Sequence, residues 1–541
     1  MKTVKNIMLV GVSTLVLSAC GADDVASPGA GTVVINNPAP TPAPTATPTP
    51  TATLVMPASA CPVITDPQGL RDRGTITGPT GTYRVCALPA RLNASSILPR
   101  TTGVLYNMSG RVDVGTDQGP TEEATDAADV TLTIQPGVIV FADAGPSFIN
   151  INRGNQIQAV GSATQPIIFT SRANVEGTTT DSSSGQWGGV VLSGRAPITD
   201  CAAPAAAPGT VACERQTEGA VDPALYGGAT ANDNSGRMSF VQIRYSGYVL
   251  SANSELQSLT TQGVGSATVL DHIMSFNSSD DGAEFFGGRV NMKYYVSIGA
   301  EDDNLDTDTG LKGNFQYVIV AQRLNATPAI ADSMIEADSD NAVDGDNPRQ
   351  NVFLSNFTFI DRVAGNADVA SILLRGGTDY TAANGILVNS VTNPCLRISR
   401  AQTASTTQNT AIDEFGSPVF RSVVFSGCGA SPFSGANGVT DAQVQAIFAA
   451  GTNTNANYTP TLTSLFVNGA NETAVPAFNA STFNGQTFNG ITLTPAGFFD
   501  ATTYIGAVRD ANDTWYQGWT CNSATAALGA SNSLCTTIPT F

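Results

Sequence analysis

From residue 130 onward the chain alternates apolar and polar positions in short runs, each closed by Gly, Asn or Asp. The run 130–141 turns its apolar residues to one side, breaks at Pro136-Gly137 and resumes. Similar runs follow at 156–160, 166–171, 187–193, 238–245, 269–276, 290–298, 315–320, 352–360 and 385–388. A period of two with turn residues between the runs is the pattern of β-strands. No helix of length separates them, which disfavours a wound parallel α/β fold.

Two all-β architectures fit: stacked sandwiches, or a parallel β-helix in which each coil lays its strands on those of the coil before. A sandwich expects tight hairpins, and Asn-Gly is their strongest signal. Asn384-Gly385 and Asn489-Gly490 occur, but the central block mostly lacks the pattern. A spacing of ~20–30 residues between similar runs suits coil stacking, as do the asparagines Asn277 and Asn356. A solenoid buries its apolar face only against neighbouring coils, so its ends need caps. The expected layout is therefore an N-terminal cap over 58–129, a β-helix over 130–428 and a C-terminal region over 429–541. In that last region a helix is predicted over 441–450, with Thr440 as cap, Val444, Ile447 and Phe448 on one face and Gly451 as stop. Trp515, Tyr516 and Trp519 either close the open apolar end of the solenoid, the preferred reading, or stack on sugar rings.

The first 57 residues follow other rules. Lys2 and Lys5 precede an apolar run over 7–17, and Leu17-Ser18-Ala19-Cys20 closes it. This is the layout of a signal peptide over 1–19, too short to cross a ~30 Å hydrocarbon layer. Cys20 resembles the lipid-modified cysteine of bacterial lipoproteins, and Gly21 after it points to the outer membrane. The segment 20–57 continues as a tether rich in Pro, Thr and Ala, with extended polyproline geometry. Its reach suggests display on the extracellular side.

Composition narrows the partners. The net charge is −19, and removal of a leader with two lysines and no acids leaves −21. Such a polyanion is unsuited to nucleic acid or to an anionic lipid face, and suited to divalent cations or cationic partners. Beyond the leader only Lys293 and Lys312 are lysines, and His272 is the one histidine, more naturally a satisfied strand residue than a general base. A histidine-rich zinc site is thus poorly supported. After Cys20, eight cysteines remain, falling as four successive pairs: Cys61 with Cys86, Cys201 with Cys213, Cys395 with Cys428 and Cys521 with Cys535. In an exported chain an even count reads as disulfides, and sequential pairing is expected.

Acidic residues are densest over 280–308. Asp280, Asp281 and Glu284 precede one strand-like run, and Asp302, Asp303, Asp306 and Asp308 follow it, after Glu301. One coil apart, the two groups can stack at one corner and offer Ca²⁺ its 6–8 hard oxygen ligands, together with Asn277 and Asn304. A second stretch, Glu336, Asp338, Asp340, Asp344 and Asp346, extends the site or forms another. Neither has the spacing of an EF-hand. Plain solvated turns are the bland alternative.

The strings "LTIQPGVIVFADAG", "PIIFTSR", "GQWGGVVLSGRAPI" and "FFDATTYIGAVRDANDTWYQGWT" resemble a family of secreted β-helical lipoproteins of Gram-negative bacteria. So does the central block 277–323, with its "DDGAEFFGG" segment. The likeness spans most of 130–520 and implies a right-handed parallel β-helix on the cell surface, without bringing an activity. In outline, "SDDGAEFF" followed by "DTDTGLKG" also resembles calcium-dependent β-helical polysaccharide lyases. That likeness implies Ca²⁺ on Asp280, Asp281, Glu284 and Asp302, and Lys312 as the base that starts an elimination. A base needs a pKa near the working pH, whereas carboxylates around Lys312 are expected to raise it; a salt-bridged turn lysine is the simpler reading. The favoured function is non-enzymatic: binding or presenting a glycan, an envelope partner or secreted cargo. The lyase reading requires Lys312 exposed in a groove beside the acidic corner. A purely structural surface or matrix protein is the third possibility.

Overall fold

The computed structural model describes residues 54–121, 129–217, 224–251, 254–324, 333–339, 347–362, 370–390 and 393–541. Cys20, the leader, most of the tether and the acids Asp340, Asp344 and Asp346 lie outside them. The described part forms one compact unit, Leu54–Phe541.

The alternating runs fold as a parallel β-helix. Among the described residues the strands gather into one sheet of 15 and another of 11, almost all paired in parallel with the equivalent strand of the next coil. The exceptions include Arg71–Gly78, which pairs antiparallel with Gly81–Ala87. Parallel stacking already begins at Gly81–Ala87, which pairs with Val104–Met108, so coils start within the span expected to be a cap. In-register pairing piles like on like: Met238, Leu270, Met292, Phe315, Leu354, Ala382 and Phe420 form one inward column. All seven are buried in a single core running through the coils. Stacking alternate side chains inward in every coil is what the period-two pattern encodes.

The longer strands of the larger sheet bend where the period-two pattern gives no warning. Phe240, His272, Tyr294, Tyr317, Asn356, Asn384 and Ser422 occupy one column and all have left-handed backbone, with φ between 52° and 64°. Such a conformation costs ~1–2 kcal/mol for residues other than glycine and asparagine, and the aromatic members of the column offset the cost by stacking. The rings of Phe240 and His272 lie 4.2 Å apart, His272 and Tyr294 4.3 Å, and Tyr294 and Tyr317 4.8 Å. Asn356 belongs to this column, whereas Asn277 sits in another one, beside Gly299, so the two asparagines do not align. Asn384-Gly385 likewise makes no hairpin: a Cβ on Gly385 would meet the Phe357 ring at 1.9 Å. Asn489-Gly490 does join two short antiparallel strands, Thr487–Phe488 and Ile491–Thr492.

The C-terminal region does two jobs. The helix Asp441–Ala449 closes the solenoid, with Thr440 and Gln443 forming a reciprocal cap and Phe448 stacked on Phe425 at 4.4 Å. Gly451 is not a left-handed stop; it lets the chain pass the Phe420 carbonyl, which a Cβ would meet at 2.1 Å. The rest returns along the outer face of the larger sheet as a strap. Side-chain amides of the sheet hold its backbone: Asn384 to Phe478, Asn314 to Leu493, Gln316 to Asp500, Asn356 to Tyr504 and Gln242 to Trp519. Trp515, Tyr516 and Trp519 therefore cover a flank, against Tyr294, Phe466 and His272, instead of the open end. Four disulfides staple the molecule, Cys61–Cys86, Cys201–Cys213, Cys395–Cys428 and Cys521–Cys535, which is the sequential pairing.

Asn384 both accepts the left-handed backbone and clamps the strap, taking the Phe478 N–H at 2.7 Å and donating to its carbonyl at 2.9 Å. Asn384→Ala is expected to lower stability by about 2–4 kcal/mol in chemical denaturation, from backbone strain plus orphaned amide groups. Asn384→Gly restores the backbone and is expected to cost less; the reverse order would contradict this account of the column.

Candidate metal site on the acidic face

The smaller sheet carries a column of carboxylates. Ala283–Phe286, Asp306–Asp308, Ile335–Asp338 and Ile372–Arg375 are successive strands, and their register places Glu284 beside Asp306 and Asp306 beside Glu336. Phe285, Thr307 and Ala337 alternate inward, so the acids face outward. Neighbouring strands lie ~4.8 Å apart, close enough for like charges to repel strongly. The turns before these strands bring further acids to the same place. Asp280, Asp281 and Asp302 offer ligand oxygens within 4.8 Å of one another, as do Asp281, Glu284 and Asp306. Asp281 belongs to both groups and is buried, whereas Asp302 is exposed at the rim.

Burial and mutual repulsion govern the protonation of the cluster. Burial pushes the Asp281 carboxyl well above the usual carboxylate range, and Asp280, Glu284, Asp306 and Asp302 push it further. Asp306 is raised for the same reason, burial first and then Asp308, with Arg375 opposing. Asp306 Oδ1 is buried with no hydrogen-bond partner. An orphaned hard oxygen among carboxylates that resist ionisation is the environment a divalent cation would relieve. The donor set is all oxygen, which fits Ca²⁺ or Mg²⁺ better than a thiophilic metal.

The two remaining expected ligands stand outside both groups. Asp303 is buried as a turn staple: its Oδ1 accepts the Ser333 N–H at 2.8 Å, and its own N–H donates to Asp281 Oδ1 at 2.9 Å. Asp308 aligns with Phe286 at the far end of its strand and acts on Asp306 through its charge. Asn304 bonds Ser297 at 2.9 Å, and Asn277 donates to the Asp181 carbonyl at 2.8 Å. Of the second acidic stretch, Glu336 continues the column, and Arg375 ends it by pairing with Glu336 and, at 3.0 Å, with Asp338. Nothing local in the sequence marks Arg375; its signal is its register with Asp338, which requires the coil boundaries.

Lys312 is salt-bridged, as the simpler reading has it, and is not the exposed base that the lyase reading requires. It is 1% exposed, and its ammonium pairs with Asp413 and the Arg349 carbonyl. Burial lowers its pKa to about 8; Asp413 opposes the shift and Arg289 adds to it. The expected upward shift is thus reversed, because desolvation outweighs the carboxylates. Around the pair, Arg349 bridges to Glu414, and burial with Glu414 nearby pushes Asp379 up to about 8. None of the acids of the column lines the cavity that Lys312 borders. His272 is satisfied: stacked between two rings, with Nδ1 at 2.8 Å from Asp271.

Below the ordinary carboxylate pKa of ~4, Asp281 and Asp306 are protonated in folded and unfolded chains alike. As pH rises past that value, the unfolded chain releases protons that the folded one retains, so stability falls until the raised folded values are passed. With divalent cations removed, the melting temperature is expected to decline across this window. Asp306→Asn should flatten the decline; an unchanged slope would remove these carboxylates from the account.

Over residues 121–520 the chain matches the family model of the pectate-lyase like beta helix domain. No curated protein and no solved structure matches it. The stacked parallel coils and the span of the match agree, and the chain belongs to the pectate-lyase-like β-helix domain family.

Proposed function

We propose that the chain is a lipid-anchored outer-membrane protein, held by Cys20 and facing the extracellular side, whose β-helix holds Ca²⁺ on its acidic face and binds a glycan there. The observation that carries this reading is the gradient of burial across the cluster, from Asp281 inside to Asp302 at the rim. A cation seated on the inner carboxylates keeps coordination positions on its outer side. Those positions suit hydroxyl and carboxylate oxygens, which polysaccharides supply in a regular array. The leader, the cysteine and the Pro-rich tether support display away from the membrane.

A calcium-dependent lyase is the second reading, and the family match is compatible with it. It needs a base beside the cation, and Lys312 supplies one only if released from Asp413.

The test is binding of the purified protein to a panel of neutral and uronate polysaccharides, in Ca²⁺ or chelator, with Asp281→Asn alongside. Retention on one glycan, reduced at least tenfold by chelator and by Asp281→Asn, is expected. Binding that ignores both would overturn the role of the acidic face. Release of unsaturated sugar, lost in Lys312→Ala, would replace binding by catalysis.

A further inference from the structure

A cleft separates the outer face of the larger sheet from the strap segment 490–498. Its larger lobe, about 510 Å³, has Arg289 and Lys312 on the sheet side and Gly490, Ile491 and Leu493 on the strap side. The strap side begins with the short hairpin 487–492. That hairpin leans on the loop 400–418, which joins Leu396–Ser399 to Val419–Ser426. Asn489 donates to the Thr410 carbonyl at 2.8 Å, and the rings of Phe488 and Phe415 meet edge to face at 5.3 Å. Whatever fixes this loop therefore fixes one wall of the cleft.

The loop is fixed by charges held out of water. At its tip Asp413 and Glu414 are buried, and they pair with Lys312 and Arg349. Arg289 acts on the Lys312–Asp413 pair through its charge. The third acid, Asp379, caps the loop backbone. Its Oδ2 accepts the Phe415 N–H at 2.9 Å, and its Oδ1 accepts the Gly416 N–H at 3.2 Å. The same Gly416 N–H also reaches Glu414 Oε1, at 3.1 Å. Two buried carboxyl groups converging on one donor repel strongly if both are ionised, and a shared proton removes the repulsion.

We infer that Asp379 and Glu414 share one proton, that this proton latches the loop onto the sheet, and that its loss frees the hairpin wall of the cleft. Burial, and then Glu414, raises the Asp379 carboxyl to about 8, with the Phe415 N–H and the Lys312 charge opposing. When the loop lifts, Glu414 withdraws and water reaches Asp379, whose pKa returns toward the ordinary ~4. The closed loop thus keeps a proton that the open loop has lost, so rising pH favours opening up to about 8. Lys312 has the opposite sign. Burial lowers its pKa to about 8, and exposure returns it toward its ordinary value, so its titration opposes opening above that pH. The latch is weakest near pH 8. It belongs to the larger sheet and does not rest on a cation or a glycan at the acidic face.

The test is hydrogen exchange of the full chain between about pH 6 and about pH 9, read by mass spectrometry and corrected for the intrinsic pH dependence of exchange. Protection of 409–416 and of 487–492, measured against the strand Asn291–Ile298, is expected to fall at least tenfold from about pH 6 to about pH 8 and no further above it. Asp379→Asn puts a permanent donor beside Glu414 and should hold the protection at its pH 6 level throughout. Because Glu414 also serves the buried Arg349, Glu414→Gln is read by its slope, which should be flat whatever its level. Unchanged protection of the loop relative to that strand, a fall that persists in either variant, a fall that continues past pH 8, or a hairpin that stays protected while the loop opens would each overturn the proposal.

Discussion

Everything in this molecule depends on in-register pairing between successive coils. Once one strand sits on the next, each side chain is fixed to a column whose members lie ~4.8 Å apart. A column of leucine, methionine and phenylalanine is a core. A column of carboxylates is a concentrated charge, and Glu284, Asp306 and Glu336 are such a column. The same hydrogen bonds that make the core regular force these acids together. Arg375 neutralises one end of the row through Glu336 and Asp338, while the turn acids Asp280, Asp281 and Asp302 crowd the other.

The corner column is a second consequence of register. A left-handed residue is needed wherever a long strand of the larger sheet bends, and in four successive coils an aromatic ring occupies it. The rings stack, and the strap lies over them through Trp515 and Trp519. Farther along, asparagines take the same position and bond the strap backbone directly. The column thus bends the strands and seats the C-terminal segment, leaving the cleft where the strap stands off the sheet near residues 490–498.

The fold was legible because its main signal is local. Alternation of apolar and polar residues within a strand, as in Gln156–Val160, needs no knowledge of the next coil. The acidic corner was partly legible, since Asp281 and Asp306 lie about one coil apart. What escaped depends on distances the sequence hides. Coil length varies, with 22 residues from Glu284 to Asp306 and 30 from there to Glu336, so the column and Arg375 cannot be aligned by counting. Lys312 reads as a turn lysine because its partner, Asp413, is 101 residues away. The strap is hidden for a related reason: aromatic residues announce burial without saying which surface they cover. The bends were invisible because Phe240 and His272 are ordinary strand residues by composition.

In-register stacking brings Asp281, Glu284 and Asp306 within ligand distance of one another, the arrangement on which the proposed cation site rests. The most direct measurement is a crystal structure of the protein grown with Ca²⁺, with the ion located by its anomalous signal. The expected result is an ion with oxygen ligands at ~2.3–2.6 Å, drawn from Asp281 and Asp306 and open toward Asp302. A well-ordered acidic face with no ion at millimolar Ca²⁺, its carboxylates sharing protons instead, would contradict it.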